Sequence, residues 1–588
     1  MREQLENKYC TLAHFLGIDE DAASGNINKI IKESLRQFVN DCSNPAIWCY
    51  GKHTKMMMAD FIFEMKGVRF IIDEGHKGKS EGGFSIVGSN QIRQSGIDGI
   101  IISSYKYREE IKGTLKEKYS DIKYLDIYDV LKEKGVCLAN EYFATKHPYS
   151  HYLLINEYRR RLRQSNSEIE RAEVYLNLIK EYVKIKDFRN AILCAENYRG
   201  QCAVDFEMIN DLRELYELQQ TTIMNISENN VLMLCIDGLR RQDIEAEEMG
   251  EVGRLLKKTA YVFQNAYSVS TSTYESLIPA YSENADMRTK YFEKNMVAEK
   301  NCRFIQAAIE QDRAIYFYTD SIAYIDSDRI TVTDCTQTVC EKLWNFTLDA
   351  ADENNGLFYI HILYESHFSY PNPYTEQKII ADGSSIMFDF LPKNGEQLRT
   401  DYCAQHRDTL AYINDILYVF LSELKLRFVL FADHGGIILP KGTQLQEVSF
   451  AQGVFHEDLI RIPMAVKSPE MGVGVDADMI SLMSINDVVI SLLKKQKFYH
   501  PKTEFIRVAR SEIYNPDFRY LYGKNGQERG IQAFEGFLFK TGYKLVIYAD
   551  GVSELYETED DRLIEDTELK RCLLDEIRSY VTVTDRLE

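Results

Sequence analysis

The feature that most restricts how this chain can fold is a set of unbroken apolar runs, each delivering a polar group at its end. Val231-Leu232-Met233-Leu234-Cys235-Ile236 runs straight into Asp237, and Phe428-Val429-Leu430-Phe431-Ala432 runs into Asp433-His434. Ala314-Ile315-Tyr316-Phe317-Tyr318 and Leu357-Phe358-Tyr359-Ile360-His361-Ile362-Leu363 are of the same kind. A strand that is apolar at successive positions, rather than at alternate ones, is buried on both faces. Helical patterns lie between these runs, for example around Leu410 to Leu424. The alternation predicts a parallel α/β/α sandwich, and in such sheets reactive groups collect at the carboxyl ends of strands.

The same reasoning divides the rest of the chain. Ala46-Ile47-Trp48-Cys49-Tyr50, Val68-Arg69-Phe70-Ile71-Ile72 and Gly99-Ile100-Ile101-Ile102 are short, rich in β-branched or aromatic residues, and each is followed by a helical pattern. Residues 1–145 are therefore expected to form an N-terminal α/β domain that looks Rossmann-like, of the kind attached to some sugar-modifying enzymes. The phosphate fingerprint is poor, since Gly51-Lys52-His53-Thr54-Lys55-Met56 stands where G-x-G-x-x-G belongs. A recognition or scaffolding module is favoured there over a nucleotide or sugar site. Residues 146–225 read as almost continuous helix. Tyr175, Leu178, Ile179 and Tyr182 form one apolar stripe, and Phe188, Ala191, Cys194 and Ala195 a second. The pair resembles one tetratricopeptide-type hairpin without neighbouring copies, so a helical connector is expected rather than a peptide-binding array. The sandwich is assigned to 226–510 and a C-terminal subdomain to 511–588.

Composition excludes several classes. With 70 Lys+Arg against 90 Asp+Glu, the net charge of −20 argues against general binding to nucleic acid or to an anionic membrane. No stretch approaches the roughly 20 apolar residues of a membrane span, and residues 1–26 lack the apolar core of a signal peptide. The 12 cysteines show no short C-x-x-C spacing and read as reduced thiols. A cytoplasmic location is the expectation.

Taken singly, the polar groups that follow the strands have plain structural readings. An Asp after a strand caps helices, the cluster Ser270-Thr271-Ser272-Thr273-Tyr274-Glu275-Ser276 reads as a loop, and Asp433-His434-Gly435-Gly436 reads as a turn. Their order is more informative. A strand leading to Asp237-Gly238-Leu239-Arg240, a hydroxyl turn, a His-containing segment and a strand leading to Asp433-His434-Gly435 is an order that resembles the alkaline phosphatase/sulfatase superfamily. Phe263-Gln264-Asn265-Ala266-Tyr267 is similar to that family's segment before the nucleophile turn, and Tyr364-Glu365-Ser366-His367-Phe368-Ser369-Tyr370-Pro371 to its His-Phe-Pro-Tyr segment. Ile460-Arg461-Ile462-Pro463-Met464 is similar to a further family strand. Tyr543 to Tyr548 followed by Glu554-Leu555-Tyr556-Glu557 resembles its small closing sheet. The resemblance covers roughly residues 228–565.

The resemblance implies a sulfatase-like hydrolase or transferase, and the turn narrows the branch. It holds no cysteine and no arginine, its first proline is Pro279, and Gly238 stands where sulfatases carry a second strand-end carboxylate. A formylglycine sulfatase is therefore disfavoured, with a sulfuric ester hydrolase kept as an alternative beside a non-catalytic scaffold. Thr273-Tyr274-Glu275-Ser276 has the Thr-x-x-Ser spacing of phosphoglycerol and phosphoethanolamine transferases, in which the threonine attacks phosphorus. Thr271 and Ser272 compete for that role, and spacing alone selects Thr273. The resemblance implies one divalent ion held by Asp237, Thr273, Asp433 and His434. Mixed Asp/His ligation suits Zn²⁺ or Mn²⁺, with Ca²⁺ and Mg²⁺ as the other candidates. His367 and His456 are carried over as catalytic candidates, for phosphate binding or protonation of the leaving oxygen. Lys441 is a weaker candidate for a phosphate contact, a solvated lysine being the simpler reading. The expected partner is an anionic phosphate-ester substrate, a phosphodiester, phosphomonoester or sugar-linked phosphate, in a glycan setting that the N-terminal module suggests.

Overall fold

In the computed structural model the described residues are 1–18, 24–61, 64–78, 80–81, 84–134, 148–165, 167–201, 206–284, 296–319, 324–333, 338–367, 370–375, 395–436, 455–512 and 528–581. They form two compact units, Lys8–Ser150 and Met1–Asn7 with His151–Glu588.

The smaller unit is an α/β sheet of β1 (Pro45–Trp48), β2 (Phe70–Ile72), β3 (Ser80–Glu81), β4 (Phe84–Val87), β5 (Gly99–Ile102) and β6 (Lys123–Leu125), in the order β3-β4-β2-β1-β5-β6. All pairs except β3 with β4 are parallel. The chain order reverses between β1 and β5, as in doubly wound sheets. Ile47 and Ile101 face one buried apolar cluster and Ala46, Ile100 and Ile102 another, so both faces are covered. Gly51 precedes the helix Lys52–Asp60 without a side-chain cap.

The larger unit carries an eight-stranded sheet. Its strands are β7 (Val231–Ile236), β8 (Tyr261–Tyr267), β10 (Ala314–Tyr318), β12 (Ile330–Thr333), β13 (Gly356–Ile362), β14 (Arg427–Phe431), β15 (Arg461–Lys467) and β16 (Gly474–Ser481). The short strands β9 (Val297–Ala298) and β11 (Ile325–Asp326) pair separately. The order is β12-β10-β13-β7-β14-β15-β8-β16. Every residue of β7 and of β13 is buried, as their unbroken apolar sequences require. The sheet is mixed rather than wholly parallel: β15 runs antiparallel to both β14 and β8. Because β15 alone is reversed, β7, β8, β13 and β14 all end on the edge where β15 begins.

Two further parts pack on this sandwich. Helices Pro148–Gln164, Glu168–Lys184, Phe188–Gln201 and Phe206–Met224 present the buried stripe Tyr175, Leu178, Ile179 and Tyr182. β17 (Phe505–Arg510), β18 (Phe534–Phe539), β19 (Tyr543–Tyr548) and β20 (Ser553–Glu557) form an antiparallel four-stranded sheet. Phe455, Leu459 and Ile460 pack against Ile506, Val508 and Phe534 of this sheet. Among the described residues no helix is long and apolar enough to cross a membrane, and the cysteines are free.

Leu234 lies in the middle of β7 and is wholly buried, whereas Ile169 is 83% exposed. Leu234→Ala removes packed methyl groups and should lower unfolding stability by about 2–5 kcal/mol. Ile169→Ala should stay within about 0.5 kcal/mol of the parent. Urea denaturation of the two variants checks the assignment of the core.

Candidate active site

The site forms where several strands end together. After β7 the Asp237 amide donates to the Ile362 carbonyl of neighbouring β13 at 2.9 Å, which fixes the start of the turn. Gly238 then takes φ +63°, a left-handed conformation that glycine adopts without steric cost. Its amide donates to Asp433 Oδ1 at 3.1 Å and so ties the ends of β7 and β14 together.

Beyond β8 the hydroxyl turn is built by internal bonds. Ser268 Oγ donates to the Asp433 carbonyl at 2.5 Å and shares a 2.9 Å bond with Ser276 Oγ. Ser270 Oγ donates to Glu275 Oε2 at 3.3 Å. Thr271 is wholly buried, and Ser272 is the N-cap of the helix Thr273–Ser282. Thr273 is thereby the first helical residue. Its hydroxyl donates to Asp237 Oδ2 at 2.8 Å, and its oxygen lies 3.3 Å from His434 Nε2.

Asp433 and His434 complete the cluster. Asp433 Oδ1 accepts from the amides of Gly238 and His434, while the buried Oδ2 has no hydrogen-bond partner and lies 3.6 Å from His434 Nε2. His434 Nδ1–H donates to the Gly435 carbonyl at 2.6 Å, which leaves the Nε2 lone pair turned toward Thr273. The next residue must be small: a Cβ on Gly435 would fall 2.0 Å from the Asp458 carbonyl. Ligand atoms of Asp237, Asp433 and His434 all lie within 4.8 Å of one another. The groups Asp476/Asp478/His500 and Glu109/Asp126/Asp129 are similarly close, but each already faces a lysine, Lys540 and Lys112 respectively.

The electrostatics of the cluster ask for a cation. Burial and then the neighbouring Asp237 carboxylate raise the pKa of Asp433, with His434 and His361 opposing. Burial works against the imidazolium of His434, yet Asp433 and Asp237 outweigh it and raise its pKa. Two buried carboxylates, a histidine whose Nε2 faces the Thr273 hydroxyl and an unpartnered carboxylate oxygen are a donor set that fits a divalent metal ion, with imidazole favouring a transition metal.

The remaining sequence candidates are placed as follows. His367 is half-buried in the turn after β13, with its amide on the Leu363 carbonyl and its carbonyl accepting from Tyr370. That turn is clamped by the helical part: Tyr152 donates to Glu365 Oε1 at 2.5 Å, and Asn156 Nδ2 donates to the Asn372 carbonyl at 2.9 Å. His456 has other partners than the cluster. Its Nδ1 accepts from the Asp458 amide, capping the short helix Glu457–Ile460, and its Nε2 lies 3.2 Å from Asp561 Oδ2. Lys441 lies outside the described residues.

One site residue escaped the sequence reading. His361 in β13 is wholly buried, with Nε2 3.9 Å from Asp237 Oδ2 and without a hydrogen-bond partner, and with Nδ1 3.4 Å from the Tyr324 hydroxyl. Burial pushes its pKa down to about 3, so the ring is neutral. Its signal in the sequence was a single polar residue inside an otherwise apolar strand.

No protein-family model matches the chain, and no curated protein matches it in sequence. Among solved structures, the fold is similar to phosphonate monoester hydrolase SpPMH from Silicibacter pomeroyi, at 12% identity and TM-score 0.44, covering 60% of this chain and 96% of that one. It is similar to a putative sulfatase from Bacteroides thetaiotaomicron, at 11% identity and TM-score 0.42, covering 60% and 92%. It is also similar to the C-terminal periplasmic domain of EcEptC from Escherichia coli in complex with Zn, at 12% identity and TM-score 0.33, covering 45% and 82%. These are likenesses of fold alone, at TM-scores of 0.44, 0.42 and 0.33.

His456 offers a check on this arrangement that is independent of activity. Burial, opposed by Asp458, lowers its pKa to about 4, against about 6.5 for an ordinary histidine. A buried neutral histidine must be charged on unfolding, so its contribution is intact above pH ~6.5 and is lost as pH falls toward 4. Glutamine can accept from Asp458 and donate to Asp561 without titrating. His456→Gln should therefore gain stability relative to the parent between pH 7 and pH 5, read as a shift in the urea midpoint difference.

Proposed function

We propose that this chain is a metal-dependent hydrolase or transferase that acts on a phosphate ester, with Thr273 as its nucleophile. The observation that carries the reading is the Thr273 hydroxyl, held 2.8 Å from Asp237 Oδ2 and 3.3 Å from His434 Nε2 at the start of a helix. Asp237, Thr273, Asp433 and His434 would hold one divalent ion, with Zn²⁺ or Mn²⁺ best suited to a mixed carboxylate and imidazole set. When bound, such an ion lowers the pKa of a coordinated hydroxyl and polarises a phosphoryl oxygen.

The chain's own groups account for the rest. A threonine hydroxyl is a weak nucleophile until an adjacent base takes its proton, and the Asp237 carboxylate already accepts that hydrogen bond. Thr273 Oγ1 forms a bond to phosphorus as the ester oxygen departs, giving a phosphothreonine. Water then releases phosphate in a hydrolase, or an acceptor hydroxyl takes the phosphoryl group in a transferase. The amides at the start of helix Thr273–Ser282 favour the anion. His367 is assigned to the departing oxygen, as a proton donor. Phosphorus is preferred over sulfur because the turn lacks a cysteine and arginine, and because Gly238 provides no second carboxylate. A soluble or sugar-linked phosphate ester is the substrate class we favour.

Metal content and turnover of p-nitrophenyl phosphate, bis-p-nitrophenyl phosphate and p-nitrophenyl sulfate test the reading. Thr273→Ala should lower kcat by on the order of 10⁴-fold or more while keeping most of the metal. Asp433→Asn should lose both activity and metal, since a neutral amide is a poorer ligand. Thr273→Ser should keep measurable turnover. Near-normal rates in Thr273→Ala would remove Thr273 from the mechanism, and turnover of the sulfate alone would overturn the choice of phosphorus.

A further inference from the structure

We propose that Arg510, delivered by the small C-terminal sheet, binds the anionic oxygens of the ester substrate at the Thr273 centre. The inference rests on the function proposed above and adds a substrate-binding residue to it, one that no motif of the sandwich contains.

Strand geometry places the residue. Side chains two apart on a strand share a face, and Ile506 and Val508 of β17 pack into the apolar cluster with Tyr267, Phe455, Leu459 and Ile460. Tyr267 is the last residue of β8, and Leu459 and Ile460 lead into β15, so that face of β17 lies against the sheet edge where the site forms. Arg510 continues the same row as the terminal residue of β17, and it is only 7% exposed. A guanidinium thus extends an apolar row into the protein, where an isoleucine or valine would serve packing alone.

Two main-chain bonds hold it against the nucleophile turn. The Ala509 amide donates to the Val269 carbonyl at 2.9 Å, and the Ser511 amide donates to Glu275 Oε2 at 3.0 Å. Val269 and Glu275 bracket Thr273, so the backbone on either side of Arg510 is fastened to the segment that carries the nucleophile.

Charge complementarity supplies the chemical reason. The centre contains the carboxylates of Asp237 and Asp433, both buried, and these repel an anionic ester. One divalent ion offsets these two charges and leaves nothing over for a phosphate monoester dianion. Arg240, the basic residue nearest the first strand end, is turned to Asp243, with Nε 3.0 Å from Oδ1 and Nη2 2.5 Å from the same oxygen. A guanidinium at Arg510 adds the missing positive charge, and its planar fork matches two oxygens of one phosphoryl group.

The test uses the full chain reconstituted with Zn²⁺ or Mn²⁺, and compares the parent with Arg510→Met and Arg510→Lys. Arg510→Met should raise KM for p-nitrophenyl phosphate and Ki for inorganic phosphate by tenfold or more, with metal content and melting temperature unchanged. The effect should be smaller on the singly charged bis-p-nitrophenyl phosphate. Arg510→Lys retains the charge but loses the fork, and should recover part of the affinity. Unchanged KM and Ki in Arg510→Met, while Thr273→Ala is inactive, would overturn this inference and leave the proposed function standing. Equal losses of metal and melting temperature in both variants would reduce Arg510 to a structural ion and also overturn it. A parent protein that neither turns over these esters nor binds phosphate would bring down both readings together.

Discussion

Two carboxylates are held out of water at the ends of adjoining strands, and much of the structure follows from that constraint. Asp237 and Asp433 are almost completely buried, follow β7 and β14, and belong to one cluster of potential ligand atoms. Like charges buried together raise the cost of ionising both, which fits the raised pKa of Asp433. The pair persists because the amides of Gly238 and His434 donate to one Asp433 oxygen and the Thr273 hydroxyl to one Asp237 oxygen. Asp433 Oδ2 is left over. A buried acceptor without a donor is costly in a finished structure, and this one lies 3.6 Å from His434 Nε2.

Position on the sheet explains why distant segments share in the site. Only β15 reverses direction, so β7, β8, β13 and β14 open on one edge and each brings a different chemical group. The two added parts then hold the pieces that the sheet does not fix. The helical part reaches the His367 turn through Tyr152–Glu365 and Asn156–Asn372, both wholly buried contacts. The small sheet reaches the hydroxyl turn before helix Thr273–Ser282 through Ala509–Val269 and Ser511–Glu275. A loop held at both ends by hydrogen bonds has few alternatives to its observed conformation.

How much of this was legible in the sequence depended on burial. β7, β13 and β14 stood out because burial on both faces demands unbroken apolar residues, and the polar residues following them were conspicuous for the same reason. β4 and β6 carry no such signal, because Phe84-Ser85-Ile86-Val87 and Lys123-Tyr124-Leu125 mix polar with apolar residues. The reversal of β15 was not legible either, since the apolar pattern of Arg461–Lys467 is the same in either direction. His361 was hidden by its strand. The partners of His456 depend on Asp561, a contact more than 100 residues away that no local pattern encodes. Asp237, Thr273, Asp433 and His434, by contrast, were marked by order along the chain, and the structure brings these residues together.

The buried histidines show why the cluster is selective about where charge resides. His361 is as buried as His434 and lies 3.9 Å from Asp237 Oδ2, yet its pKa falls to about 3 while that of His434 rises. Burial disfavours both imidazolium ions, so the difference lies in the partners. His434 is favoured by Asp433 and Asp237 together against Arg510 alone, whereas on His361 the pull of Asp433 is opposed by Lys342, His434 and His367. Lys342 Nζ sits on the His361 carbonyl at 2.6 Å and reinforces that opposition from the main-chain side. Positive charge is thus favoured on one side of Asp237 and refused on the other. An incoming cation would be drawn to the side shared by Thr273, Asp433 and His434, where the Thr273 hydroxyl lies between Asp237 and His434.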